Sequence, residues 1–134
     1  MPNQNNNFAT DTGNYPVKIV ALGGLDEMGK NCYVIELDND AFIIEAGLKY
    51  PTRNIPGVDI IIPDFEYLRT IANKVKGIII THGHDDQYGA LPYLLNVVKA
   101  PIIATKTTIA IIQSTYKKNR NIEKAQFIEV KPSS

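Results

Sequence analysis

The run Gly77-Ile78-Ile79-Ile80, leading directly into Thr81-His82-Gly83-His84-Asp85-Asp86-Gln87, constrains this chain more than any other stretch. A short apolar run that ends in a polar loop reads as a buried strand, and a buried strand fixes whatever it delivers at its end. Here it delivers the only two histidines among 134 residues, together with two aspartates. On extended backbone His82 and His84 point the same way, so both imidazoles can face one divalent ion while Gly83 lets the backbone pass close. Asp86 then reaches towards a second ion. The plainer reading is a helix cap in a solvated loop, since Asp readily caps a helix that begins near Tyr88.

At 134 residues and 44% hydrophobic, the chain is long enough for one core and too short for two domains of usual size. Lys plus Arg and Asp plus Glu each number 14, so no general basic field advertises nucleic acid, and any RNA contact must be local. Cys32, the single cysteine, sits among apolar strand residues and reads as a buried structural thiol in a reducing compartment. No apolar run approaches the ~18 residues of a membrane span, and Met1 to Asn7 has neither a basic start nor an apolar centre. A cytoplasmic protein with no membrane partner is expected.

Residues 1–15 are Asn-rich and poor in large aliphatics, which predicts a disordered leader ahead of one folded unit from residue 16 to 134. Val17 to Leu22, Cys32 to Leu37 and Ala41 to Glu45 read as three antiparallel strands, the last two joined at Asp38-Asn39-Asp40. Val58 to Ile62 reads as a short fourth strand. After Asp64 as N-cap, Phe65, Leu68, Ile71, Ala72 and Val75 recur on one helical face. The remaining expectations are a strand from Gly77 to Thr81, a helix from Tyr88 to Val98, a strand at Ile102 to Ala104, a helix from Thr107 to Asn119 and a last strand at Gln126 to Val130. The alternation places the chain in the α/β class.

Three further features have bland readings that the residues favour. The Gly23-Gly24 to Gly29-Lys30-Asn31 loop is followed by a strand, not a helix, so it lacks the setting of a dinucleotide fingerprint. Lys117, Lys118 and Arg120 fall where a helix's last turn attracts cations through its dipole. Tyr93, Tyr116 and Phe127 read as core or half-buried aromatics, not base-stacking platforms.

Thr81 to Gln87 resembles the His-x-His-x-Asp-His signature of the metallo-β-lactamase superfamily. Neighbouring segments narrow the likeness to the ribonuclease J family of β-CASP nucleases: Gly29-Lys30-Asn31, Ala46-Gly47-Leu48-Lys49-Tyr50-Pro51, Gly57-Val58-Asp59-Ile60-Ile61-Ile62-Pro63-Asp64 and Gly89-Ala90-Leu91-Pro92. They run in order through most of the chain. The resemblance implies an α+β arrangement: the first half of an αββα sandwich, with a mixed sheet carrying helices on one face. It also implies two zinc ions, His82 and His84 binding the first and Asp86, as ligand and catalytic residue, the second. RNA is the implied substrate, hydrolysed at its phosphodiester bonds by 5′-to-3′ exonuclease or endonuclease action. Lys30 is then the candidate contact for an RNA phosphate, and ribonuclease J-type subunits are the implied partners in a homo- or hetero-oligomer.

Two positions depart from the family pattern. Gln87 stands where a histidine ligand of the second metal is expected, and a neutral amide oxygen is a poorer partner for zinc than imidazole. Glu45 stands where the family's strand ends in Asp, and its extra methylene moves an orienting carboxylate by roughly 1.5 Å. Both changes resemble a second, weakly active ribonuclease J paralogue, so an attenuated nuclease with weak or incomplete metal binding is expected. A non-catalytic scaffold pairing with an active ribonuclease J and a small-molecule hydrolase of the same fold are the competing readings. The later histidines, the bridging carboxylate and the β-CASP domain have no counterpart here, so a sheet face made to meet its partner is expected to stay wet.

Overall fold

The computed structural model describes residues 16–53 and 55–132, so the expected disordered leader lies outside the described residues. Strands β1 (Lys18–Gly23), β2 (Cys32–Glu36), β3 (Ala41–Ile44), β4 (Val75–Ile79), β5 (Ile102–Thr105) and β6 (Phe127–Val130) form a six-stranded sheet in chain order. The first three are antiparallel neighbours, as the turn chemistry of Asp38 to Asp40 predicts. From β3 onward the pairing is parallel, and each parallel step requires a crossover long enough for a helix. The crossovers carry α1 (Glu66–Ile71), α2 (Asp85–Tyr88) with α3 (Leu91–Leu94), and α4 (Lys106–Thr115) with α5 (Arg120–Lys124).

Alternation along the strands sorts the sheet into two unlike faces. Val34, Ile43, Ile78 and Ile102 are fully buried in one core with Leu68 of α1, Leu91 and Leu94 of α3, Ile112 of α4 and Ile122 of α5. On the other face the paired residues Ile35 and Phe42, Ile44 and Ile79, and Ile103 and Ile128 are half-buried or exposed. Ile19, opposite Ile35, is 69% exposed at its edge. The mixed sheet therefore carries its helices on one face and leaves an apolar face open.

Several elements differ from the sequence reading for identifiable reasons. Val75 opens β4 because its pairing with Ala41 draws it out of the preceding helix, which closes through a 3₁₀ turn at Ala72–Lys74. Asp64 accepts the Glu66 amide at 2.9 Å, although Phe65 occupies the N-cap position. Val58 to Ile62 forms no ladder: only Ile61 bridges, to Lys49, since Pro56 and Pro63 cannot donate and Gly57 turns at φ +80°. The helix placed at Tyr88 to Val98 is two short helices, α2 starting earlier at Asp85 and α3 restarting at Leu91, because Pro92 has no amide to continue α2.

α4 ends at Thr115, and Asn119 caps the separate α5 by accepting the Ile122 amide at 3.2 Å. Lys117 and Lys118 thus lie in the turn between helices, while Arg120 opens α5 at the end where the dipole disfavours a cation. The dipole account fails for Arg120, whereas Lys117 and Lys118 follow directly after the C-cap of α4, at its negative end. Tyr93 is 45% exposed and so about half-buried, and Tyr116 and Phe127 pack against the core, as expected. Cys32 is fully buried, and that burial, followed by the charge of Glu45, pushes its thiol up to about 12.

Candidate metal centre

Every residue singled out in the histidine loop sits at the carboxyl ends of the parallel strands, where open α/β sheets collect their sites. Three chain segments meet there through backbone hydrogen bonds. The Lys30 amide donates to Leu48 O at 3.0 Å, Gly47 to Asn31 O at 2.9 Å, Leu48 to Asp85 O at 3.1 Å, and Ala46 to Gln87 O at 2.7 Å. Asn31 adds its side-chain amide to Asp86 O at 3.1 Å. This lattice demands glycine at position 47, because a Cβ there would lie 1.7 Å from Asp86 O. At Gly83 a Cβ would meet the tip of the Ile111 side chain of α4 at 2.6 Å, so the loop passes close to that helix.

His82 and His84 lie with ring centroids 4.8 Å apart, edge to face, and both are exposed. His84 is the N-cap residue of α2, and Asp85 and Asp86 form its first turn. Its side chain makes no capping hydrogen bond, so the plain capping reading leaves the imidazole without work. Thr81 Oγ1 lies 2.6 Å from Glu45 Oε2 and 2.9 Å from His82 Nδ1. The hydroxyl has one proton and the carboxylate has none, so Thr81 donates to Glu45 and accepts from His82 Nδ1–H. That chain leaves Nε2 of His82 as the ring's free lone pair.

Glu45 is 8% exposed and its other oxygen, Oε1, accepts the Thr81 amide at 2.9 Å. Glu45 sits at φ +68°, a left-handed conformation uncommon for such a residue. Gln87 is the opposite case. It is 7% exposed, its Oε1 has no hydrogen-bond partner, and its side chain does not line the adjoining groove. A buried amide oxygen without a partner costs about 1 to 3 kcal/mol, so this position holds a hydrogen-bond acceptor that no donor reaches.

A groove of about 690 Å³ opens beside the loop, lined by Met28, Lys49, Tyr50, His84, Asp85 and Asp86 among others. At its edge Glu27 gathers donors: Lys49 Nζ at 2.6 Å, the Gly24 amide at 3.1 Å and Lys30 Nζ at 3.5 Å. These contacts, the Lys49 bond foremost, hold the Glu27 carboxyl down at about 2. Lys30, expected to meet a phosphate, is thus paired with an internal carboxylate. Sequence reasoning missed Lys49 and Tyr50 as groove residues and Glu27 as the partner of Lys49, since only the fold brings them to the histidine loop.

Among the described residues no three His, Cys, Asp or Glu side chains converge on one point. The two imidazoles, Asp86 and the buried Gln87 amide therefore do not fit a two-metal centre by themselves. They amount to a partial donor set.

The model of the Metallo-beta-lactamase superfamily matches residues 25–128, which include the whole lattice and the histidine loop. The chain belongs to this superfamily. It is 43% identical over 118 residues to Ribonuclease J2 of Bacillus subtilis (strain 168), covering 88% of this chain and 21% of that protein. Ribonuclease J 2 of Streptococcus pyogenes serotype M3 is 44% identical over 108 residues, 81% of this chain and 20% of the relative. Such likeness supports an amino-terminal segment of ribonuclease J type, and the chain spans about a fifth of the length of these relatives. Among solved structures, a diphosphatase from the PhnP family superposes with TM-score 0.53 at 18% identity, covering 78% of this chain and 38% of its own. Human tRNase Z, short form, gives TM-score 0.50 at 19% identity over 88% of this chain and 46% of its own. These two establish the metallo-beta-lactamase fold. Membership in the superfamily implies a metal cofactor.

Proposed function

We propose that the chain is the histidine-loop segment of a ribonuclease J-type nuclease that hydrolyses RNA phosphodiester bonds, with its activity attenuated by Gln87. The observation that carries this reading is the pair of exposed imidazoles 4.8 Å apart, with His84 and Asp86 lining one groove and the neighbouring ligand position filled by a side chain whose amide oxygen is buried without a partner. His82 and His84 serve as ligands of a first zinc and Asp86 of a second; Glu45 acts through Thr81 on the orientation of His82. When bound, such ions polarise a phosphoryl oxygen and activate water.

The missing donors come from other parts of the polypeptide, which also supply the second sheet that covers the open apolar face. Lys30 serves an RNA phosphate only after leaving Glu27. The setting is cytoplasmic, with ribonuclease J-type subunits as oligomeric partners; among the described residues no helix is long and apolar enough to cross a membrane. The relatives favour this reading over a non-catalytic scaffold or a small-molecule hydrolase.

The test is metal content and turnover of the full-length polypeptide on 5′-monophosphorylated RNA, alone and with Gln87→His. The substitution is expected to raise metal affinity about tenfold or more, in line with restored ligation, and turnover with it. An unchanged metal affinity would remove Gln87 as the cause of attenuation, and wild-type turnover equal to that of an active ribonuclease J would remove the attenuation itself.

A further inference from the structure

The zero formal charge hides an uneven spread. From Lys99 to Lys131 the chain carries seven Lys and Arg against Glu123 and Glu129 alone, so the part of the fold that follows α3 is basic. Lys117, Lys118 and Arg120 concentrate this excess in the turn between α4 and α5, where all three are exposed. Among the described residues none of them enters an ion pair. The dipole of α4 accounts for two of these cations and not for Arg120, and unpaired like charges this close in the chain favour an anion laid across them.

Asn119, between these cations, lines a cavity of about 350 Å³ together with Asn96, Asn121, Tyr93 and Tyr116. Its walls are fixed. The Tyr116 hydroxyl donates to Gly89 O at 2.9 Å, and its ring meets that of Tyr88 edge to face. Tyr93 is 45% exposed, while Leu91 and Leu94 of the same helix are fully buried and anchor its backbone. Asn121 Nδ2 donates to Pro92 O and to Asn96 Oδ1, each at 2.8 Å, which uses both of its amide hydrogens. On the two joined amides Asn121 Oδ1 then remains as an acceptor and Asn96 Nδ2 as a donor, the kind of pair that a base edge answers.

We propose that this cavity and the turn beside it form an outer binding site for single-stranded RNA. One base stacks on Tyr93 against the Asn96 and Asn121 amides, and Lys117, Lys118 and Arg120 take the neighbouring phosphates. The inference rests on the ribonuclease reading above and adds to it a second place on the same chain where the substrate is held. Leu48 lines both this cavity and the metal groove, so one strand can occupy the two together. An acidic protein segment would satisfy the cations but would leave the open ring and the free amide groups unused. Stacking accepts any base, which suits a site that must hold unrelated sequences.

The experiment measures binding of labelled 5′-monophosphorylated oligoadenylates to the full-length polypeptide in chelator, so that nothing is cleaved. One strand is a tetranucleotide that fits in the groove; the other, of about 20 nucleotides, also reaches the outer site. Wild type should bind the long strand more tightly than the short one. The combined substitution Lys117→Ala, Lys118→Ala and Arg120→Ala should cost the long strand about tenfold and flatten its slope of log affinity against log salt by about 2. Tyr93→Ala should cost about tenfold with the slope unchanged, while Tyr93→Phe should bind as wild type. All of these residues are exposed, so folding should not be at stake, and affinity for the tetranucleotide should stay constant throughout.

Equal binding of both strands by wild type, or variants that keep full affinity for the long one, would overturn the outer site and leave the ribonuclease reading standing. Polyglutamate that displaces the long strand as well as unlabelled RNA does would also overturn it, in favour of an acidic protein partner. Wild type that binds neither strand would overturn the ribonuclease reading together with the site.

Discussion

The two ends of the sheet are built by different means. At the carboxyl ends of β3 and β4, four backbone hydrogen bonds among three segments lock Ala46 to Leu48 between Lys30-Asn31 and Asp85 to Gln87. At the other end the work falls to side chains: Lys74 Nζ pairs with Glu36 at 2.7 Å and donates to the carbonyls of Leu37 and Asp38, while Tyr67 donates to the same Glu36. Backbone bonds do not depend on which side chains the loop carries. The histidine end can therefore keep its shape while individual ligand positions change, which explains how Gln87 and Glu45 sit in an otherwise intact frame.

The strongest way to break this contrast is to attack the lattice itself. Gly47→Ala forces a methyl into Asp86 O, a backbone atom that cannot rotate aside. A loss of about 3 kcal/mol in urea unfolding is expected. At the other end Lys74→Met should cost about 1 kcal/mol or less, since the pair is partly solvated. Equal losses from the two substitutions would erase the distinction.

A smaller effect sharpens it. Thr81→Val removes the link between Glu45 and His82 but leaves the backbone lattice untouched, so stability should fall by only about 1 to 2 kcal/mol. The informative readout is the imidazole ¹⁵N spectrum. Wild-type His82 should carry its proton on Nδ1, and the variant should lose that preference. A His82 tautomer unchanged in the variant would mean that Thr81 does not set it.

Much of this frame is legible in the sequence, because it rests on local chemistry. The Gly77 to Ile80 run, the Asp38 to Asp40 turn and the paired histidines each announce themselves within a few residues. What escapes is whatever depends on partners far along the chain. Val75 reads as helical until Ala41 pairs with it, and nothing near Lys49 or Tyr50 reveals that Glu27 and Asp85 wait for them. Asn119 is a different lesson: its capping signal was readable, but a continuous helical pattern through Lys117 and Lys118 concealed it. The burial of Gln87 is likewise invisible, since a signature gives residue type and not which way the side chain faces.

Acid titration gives the gentlest test, because both ends carry a carboxylate held below its ordinary range. Glu36 is lowered by its bond to Lys74 and then by Tyr67; Glu27 is lowered from 4.5 to about 2 by Lys49 and then by the Gly24 amide. A carboxyl lowered on folding contributes stability that is complete above its unfolded value and is lost as the pH falls through its folded one. Glu27 should thus release its share only between pH 4.5 and about 2. Melting temperatures through that window should fall less steeply for Glu27→Gln than for wild type, and run parallel to it at higher pH. Because the lattice behind Glu27 is backbone, the histidine loop should keep its amide spectrum in the variant. A loop that loosens together with Glu27 would show that the ion cluster, and not the backbone, holds that end of the sheet.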